Sequence, residues 1–191
     1  MNLTALVIGG ASCLHDDLAR VGPVDLRIGV NDAGYTFGDL NAVATVHFEH
    51  VPKWRALRQR AGFPSTAWIS FDHPQPTLRP RADPSVALGH GVEIWRPPDL
   101  SAWVWGSSSL YAVGVALHVF GADRVILAGC PMDGSPNLYR DELGWAQFQR
   151  YRARWEKAAP TLRGRVVSCS GWTAELLGEW DAHTDRRPVC A

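Results

Sequence analysis

Two short stretches of this 191-residue chain carry residue types suited to holding a phosphate. In the first, Gly106-Ser107-Ser108-Ser109-Leu110-Tyr111 sets small hydroxyl residues directly before Ala112-Val113-Gly114-Val115-Ala116-Leu117, as expected at the start of a helix. Ser107 or Ser108 can cap that helix. First-turn N–H groups, unbonded within the helix, then present the positive end of its dipole to an anion. The same serines would serve equally well as plain caps of a core helix. In the second stretch, Gly9-Gly10-Ala11-Ser12 follows the apolar run Leu3–Ile8 and precedes helical spacing from Leu14 to Arg20. Glycines there let a ligand approach the backbone closely. The full G-x-G-x-x-G pattern is missing, although Asp32 stands at about the right distance to take a ribose hydroxyl, as the acidic residue of dinucleotide sites does. There is no G-x-x-x-x-G-K-[ST], and Lys53 and Lys157 are the only lysines, which argues against a P-loop kinase.

Proton transfer would fall to histidine. His47-Phe48-Glu49-His50 closes an apolar run, and His47 or His50 suits abstraction of a proton from a hydroxyl acceptor. His73 and His90, in a long loop, are alternatives. The H-x-x-H spacing lacks the helical i, i+4 register and a firm third ligand, so no metal is expected there. His118 reads as a packing residue. Cys130, ahead of Pro131-Met132-Asp133-Gly134, stands where a nucleophile could, but no base accompanies it, and a buried thiol is the expectation.

The elements that must position these residues are legible as an alternation. Strands are expected at Leu3–Ile8, Leu26–Val30, Ala42–Phe48, Thr66–Phe71, Arg124–Gly129 and Arg165–Ser168. Helices are expected at Leu14–Arg20, Pro52–Ala61, about 107–120, about 144–158 and through Leu176 and Leu177. In the fourth helix Trp145, Phe148, Tyr151 and Trp155 form a stripe. Six strands alternating with helices predict one α/β domain over residues 1–191, a doubly wound and mostly parallel Rossmann-like sheet with helices on both faces. Prolines at 74, 76, 80, 84, 97 and 98 interrupt the pattern over 72–105, which reads as an irregular flap with Val92–Trp95 as a short edge strand inside it. Residues 181–191 read as a tail.

Formal net charge is zero, with 19 basic and 19 acidic residues, which excludes a nucleic-acid or membrane-surface binder driven by bulk charge. The four cysteines form no C-x-x-C pair, the chain opens on a core strand, and no apolar run approaches the roughly 20 residues of a membrane helix. A cytoplasmic protein is expected. Its nine tryptophans are compatible with a homodimer.

Taken together, Val7–Leu14, Val30-Asn31-Asp32, Gly106–Tyr111 and Val125–Asp133 resemble the Rossmann-like bacterial sialyltransferases that use CMP-sialic acid, and the wider group containing the methanopterin-type pyrophosphokinases. The order and spacing match over most of the chain. The resemblance implies that Gly9, Gly10 and Ser12 line the nucleotide phosphate and sugar. It implies that Asn31 hydrogen-bonds the nucleotide, that Ser107 and Ser108 take the phosphate or donor carboxylate, and that Asp133 and Tyr139 lie on the donor side. Two positions depart from the family pattern. Gly10-Ala11-Ser12 replaces Asn-Gly-Pro-Ser, and the family's lid histidine has no counterpart between Asn137 and Tyr151.

The expected activity is a metal-independent, glycosyltransferase-like transfer from a CMP- or UDP-type nucleotide sugar to a hydroxyl acceptor, a glycan or modified nucleobase. His47 or His50 would be the base and Asp133 a catalytic-site carboxylate, with no tightly bound cofactor and no membrane partner. Such a compact form suits a phage or bacterial modification pathway. The alternatives are a non-catalytic nucleotide-binding module and a pyrophosphoryl transferase to a pterin-like alcohol, the latter needing Mg²⁺ and Asp32 close to Asp133.

Overall fold

The computed structural model describes residues 2–71, 91–96, 107–139 and 147–182. In chain order the elements are β1 (Thr4–Ile8), α1 (Leu14–Arg20), β2 (Leu26–Val30), β3 (Ala42–Thr45), α2 (Val51–Arg60), β4 (Ala67–Ser70), β5 (Glu93–Ile94), α3 (Ser108–His118), β6 (Arg124–Ala128), α4 (Phe148–Leu162), β7 (Val166–Ser168) and α5 (Gly171–Leu177). Two 3-10 turns, Asn31–Tyr35 and Phe48–His50, follow β2 and β3. The sheet is wholly parallel in the order β5-β4-β3-β2-β1-β6-β7, the six main strands being joined by the expected short edge strand, found at Glu93–Ile94.

Continuous apolar runs in β1 and β6 reflect burial on both faces, and these two strands form the centre. One face buries Tyr111, Val113, Leu117, Trp155 and Leu162 from α3 and α4. The other buries Leu14, Val51, Trp54 and Trp68 under α1 and α2. After β1 the chain winds towards β5, and after β6 it winds the opposite way towards β7. The topological switch therefore lies between β1 and β6, and the crevice at their carboxyl ends is the default ligand position in such sheets.

Several boundaries differ from the sequence expectation for identifiable reasons. β3 stops at Thr45 instead of Phe48, because the Val46 amide turns to Ser108 Oγ (3.5 Å) and the His47 amide to Thr45 Oγ1 (3.0 Å). Helix α4 runs beyond Ala158 to Leu162 with Pro160 inside it, where the last turn sacrifices only one ladder bond to the missing N–H. Trp145 and the first residues expected of that helix lie outside the described residues, as do His73, His90, Gly106 and most of the 72–105 flap. Of the 181–191 tail, only 181–182 are described, and they form no regular structure.

Candidate functional site

The glycine turn after β1 is packed shut at its base. A Cβ built on Gly9 would lie 2.2 Å from the Gly129 carbonyl and 2.5 Å from Cys130 Sγ, so Gly9 is required by the approach of β1 and β6 ends. Three of the turn's four amides are bonded to protein. Gly9 donates to Ala128, Ala11 to Gly129 at 3.1 Å and Ser12 to Pro136 at 2.9 Å. Gly10 is capped from above, with the Tyr139 ring 3.1 Å from where its Cβ would stand and Leu138 N–H donating to its carbonyl. Ser12 is exposed on the rim.

The start of α3 is arranged differently. Ser107 is the N-cap, with Oγ accepting from the Leu110 amide (3.2 Å) and from Trp155 Nε1 (3.3 Å). Its φ of 131° and ψ of 163° lie in a region that glycine tolerates far better than serine, so the position is strained and over-determined by its neighbours. The amides of Ser108 and Ser109 have no acceptor among the described residues. The side chains bracket the sheet end. Ser108 Oγ accepts from the Val46 amide beyond β3, while the Ser109 hydroxyl lies beside Cys130 beyond β6. The α3 N-terminus thus spans the carboxyl ends of the central strands, and the Ser109–Cys130–Gly9 chain of contacts puts it at the same end of the sheet as the glycine turn.

Beyond β2, Asn31 adopts a left-handed φ of 52° and accepts from Thr45 Oγ1 at 2.7 Å through Oδ1, which ties the ends of β2 and β3 together beside Ser108. Asp32 is buried, and its Oδ1 accepts from Trp54 Nε1 (3.0 Å) and Tyr35 Oη (3.3 Å). His47 stands one residue past the amide that reaches Ser108, with its side chain half exposed, and its Nδ1 lies 3.5 Å from Glu49 Oε1. His50 Nε2 is 3.9 Å from the same oxygen, and its ring packs edge-on against Trp54. Burial works to raise the Glu49 carboxyl. The hydrogen bond from His47, its own backbone amide and the two imidazoles outweigh that and hold it below the ordinary carboxylate range.

Beyond β6, Asp133 is exposed. Its Oδ1 accepts from the amide and hydroxyl of Ser135, and its Oδ2 lies beside Gly171. Asp32 and Asp133 stand on opposite sides of β1, and among the described residues no group of three or more His, Cys, Asp or Glu side chains is placed to hold a metal ion. Burial pushes the Cys130 thiol up to about 12, so it is a protonated packing group at neutral pH. Tyr139 reaches from Gly10 towards Asp32 and Tyr35. Burial drives its phenol well above the ordinary range, and Thr36 works the other way while falling short of a full hydrogen bond.

Two positioning residues were not singled out by sequence reasoning. Asp17 on α1 is 2% exposed, and its Oδ2 accepts from the Gly129 amide (2.8 Å) and Ser170 Oγ (2.8 Å), pinning the ends of β6 and β7. Arg58 on α2 sends its guanidinium to the carbonyls of Gly34, Phe37, Gly38 and Pro64, which fixes the loop after Asp32. An acid in a first helical turn and an arginine in a helix were the only signals, and neither announces a distant backbone partner.

No known family model matches the sequence, and no curated protein resembles it significantly. The fold, however, is shared with solved sialyltransferases. One CstII structure in complex with CMP superposes with a TM-score of 0.64 at 11% identity, over 96% of this chain and 89% of that one. CstII from Campylobacter jejuni in complex with the substrate analogue CMP-3FNeuAc gives 0.60 at 12% identity, over 99% and 90%. The chain has the sialyltransferase-like α/β fold. At such identity the likeness speaks for the fold alone.

Proposed function

We propose that this protein is a glycosyltransferase-like enzyme that binds a nucleotide sugar of the CMP type across the carboxyl end of its sheet and transfers the sugar to a hydroxyl acceptor. The observation that carries the reading is the start of α3, where the Ser108 and Ser109 amides open at the switch point beside the glycine turn. CstII binds CMP on the same fold. In this reading Ser107, Ser108 and the α3 amides hold the phosphate, and Asn31 binds the nucleotide. Gly10, Ser12 and Tyr139 line the donor, with Gly9 setting the floor beneath it and Asp32 bracing the wall through Trp54. Stabilisation of the leaving phosphate by preorganised amides would supply the main part of the catalysis.

His47 is the better base of the two candidates. Its Nδ1 faces Glu49, which leaves Nε2 to accept the acceptor's proton, and it sits next to the residue that touches Ser108. His50 is turned towards Trp54 and would shape the acceptor side. Asp133 would hold the loop after β6 through Ser135 while facing the donor. The step needs no metal in this reading, and the setting would be a cytoplasmic modification pathway of a phage or bacterium. No helix among the described residues is long and apolar enough to cross a membrane.

Calorimetric titration with CMP, UDP, GDP, NAD and ATP, with and without Mg²⁺, tests this. CMP or UDP binding that is independent of Mg²⁺ is expected, and binding only of ATP with Mg²⁺ would overturn the reading. His47→Gln should then keep donor affinity within about twofold and lose transfer by about 10²-fold or more. Unchanged turnover would remove His47 from the mechanism.

A further inference from the structure

One cation beside the site is held rigidly and has no acidic partner among the described residues. Arg152, on α4, donates from Nε to the Met132 carbonyl at 2.8 Å. Met132 is the residue before Asp133, buried and at a left-handed φ of 50°, in the loop that leaves β6 at the switch point. The Arg152 Cζ lies 4.8 Å from the centroid of Phe148 and 4.7 Å from that of Trp172, so two aromatic rings fix the guanidinium. Phe148 itself is seated by Gly134, where a Cβ would come within 2.8 Å of the ring. One turn along the same face of α4, Trp155 donates to the N-cap oxygen of α3. That face therefore ties the β6 loop to the phosphate-facing helix start. Among the described residues no carboxylate lies within ion-pair distance of Arg152.

An arginine clamped by two rings, with one donor committed to a strained backbone carbonyl, has lost its conformational freedom in advance. What is left is the planar fork of Nη1 and Nη2, whose spacing matches the two oxygens of a carboxylate or phosphate. We propose that Arg152 is an oxyanion-binding residue of the donor site, contributing a bidentate clamp to the acidic part of the nucleotide sugar. The oxyanion is either the nucleotide phosphate or a carboxylate on the sugar. This rests on the donor reading above and adds to it a requirement for an acidic group at that point.

The test is titration of the full chain, as wild type, Arg152→Met and Arg152→Lys, with cytidine, CMP and CMP-3FNeuAc, alongside melting of each unliganded protein. Methionine keeps the apolar stem between the rings and removes the fork. Wild-type binding of CMP comes first: its absence overturns this inference, and absence of UDP binding as well sinks the donor reading with it. Given CMP binding, Arg152→Met should weaken one or both acidic ligands by about tenfold or more while changing cytidine by less than about twofold. Loss on CMP assigns the fork to the phosphate, and loss confined to CMP-3FNeuAc assigns it to the sugar carboxylate. Equal affinity of wild type and variant for all three ligands overturns the inference and leaves the donor reading standing. So does an equal loss on cytidine, which would mark Arg152 as a packing residue. Should Arg152→Met fail to fold, Arg152→Lys decides: a point charge in place of the fork should still cost the acidic ligand about threefold or more, and no loss overturns the clamp.

Discussion

The two small-residue turns at the crevice, the glycine turn after β1 and the first turn of α3, look alike as sequence and differ as structure. In Gly9–Ser12 three of the four backbone donors, those of Gly9, Ala11 and Ser12, are spent on Ala128, Gly129 and Pro136, and the smallness of Gly9 is consumed by the contact with Gly129. At the start of α3 the Leu110 amide is capped by Ser107, and the Ser108 and Ser109 amides have no acceptor among the described residues. Small residues can thus close a strand junction or leave backbone donors uncommitted. Only the fate of the amides separates them.

The sharpest way to break this comparison is Gly9→Ala. Its Cβ would meet backbone and sulfur at 2.2 and 2.5 Å, so the β1–β6 junction must move, and we expect loss of at least about 3 kcal/mol or failure to fold. Gly10→Ala meets the Tyr139 ring at 3.1 Å and Asn137 Nδ2 at an ordinary 3.6 Å, and should cost about 1 kcal/mol or less by thermal melting. Comparable losses at the two positions would show that the turn is not closed from below.

Next in size is Asp17→Ala. It leaves the buried Gly129 amide and the Ser170 hydroxyl without their acceptor, and about 2–4 kcal/mol should be lost in denaturant unfolding. If the variant melts with the wild type, the carboxylate does not anchor the β6 end.

At the other element, Ser107 is held at a φ that costs a non-glycine residue about 1–3 kcal/mol, while its hydroxyl caps α3 and accepts from Trp155. Ser107→Ala loses the cap and keeps the strain, for about 1–2 kcal/mol. Ser107→Gly loses the same bonds but relieves the strain, so it should be the milder of the two by about 1 kcal/mol. The reverse order in melting would mean that the backbone there is not strained.

How much of this was legible in advance follows from the range of each interaction. The central runs of β1 and β6 were readable because burial on both faces writes itself as continuous apolar sequence, and Leu14–Arg20 because Leu14 and Leu18 recur at helical spacing. Val92–Trp95 could be read as an edge strand despite the surrounding prolines, since edges tolerate them. The candidate site was legible as residue types at strand ends. Its working geometry was not, because it depends on side-chain-to-backbone bonds between distant segments: Asp17 to Gly129, Arg58 to the 34–38 loop, Thr45 to Asn31 and Arg152 to Met132. No periodicity records such a bond. The 3-10 turn at Asn31–Tyr35, which buries Asp32 against Trp54, belongs to the same class.

The smallest expected effect concerns the rim. Because the folded-state pKa of Glu49 lies below its usual value of 4.5, its ionised form contributes stability that is present above that pH and is lost as the pH falls through the lower, folded value. The group is about a third exposed, which keeps the contribution small and sensitive to salt. Glu49→Gln should therefore leave melting near pH 7 almost unchanged and flatten the acid limb of the stability curve below about pH 4.5, and less so in high salt. A parallel shift of the whole curve would mean that Glu49 acts through packing. In that case His47 would have no charged partner to orient it, and the asymmetry between His47 and His50 on which the choice of base rests would disappear.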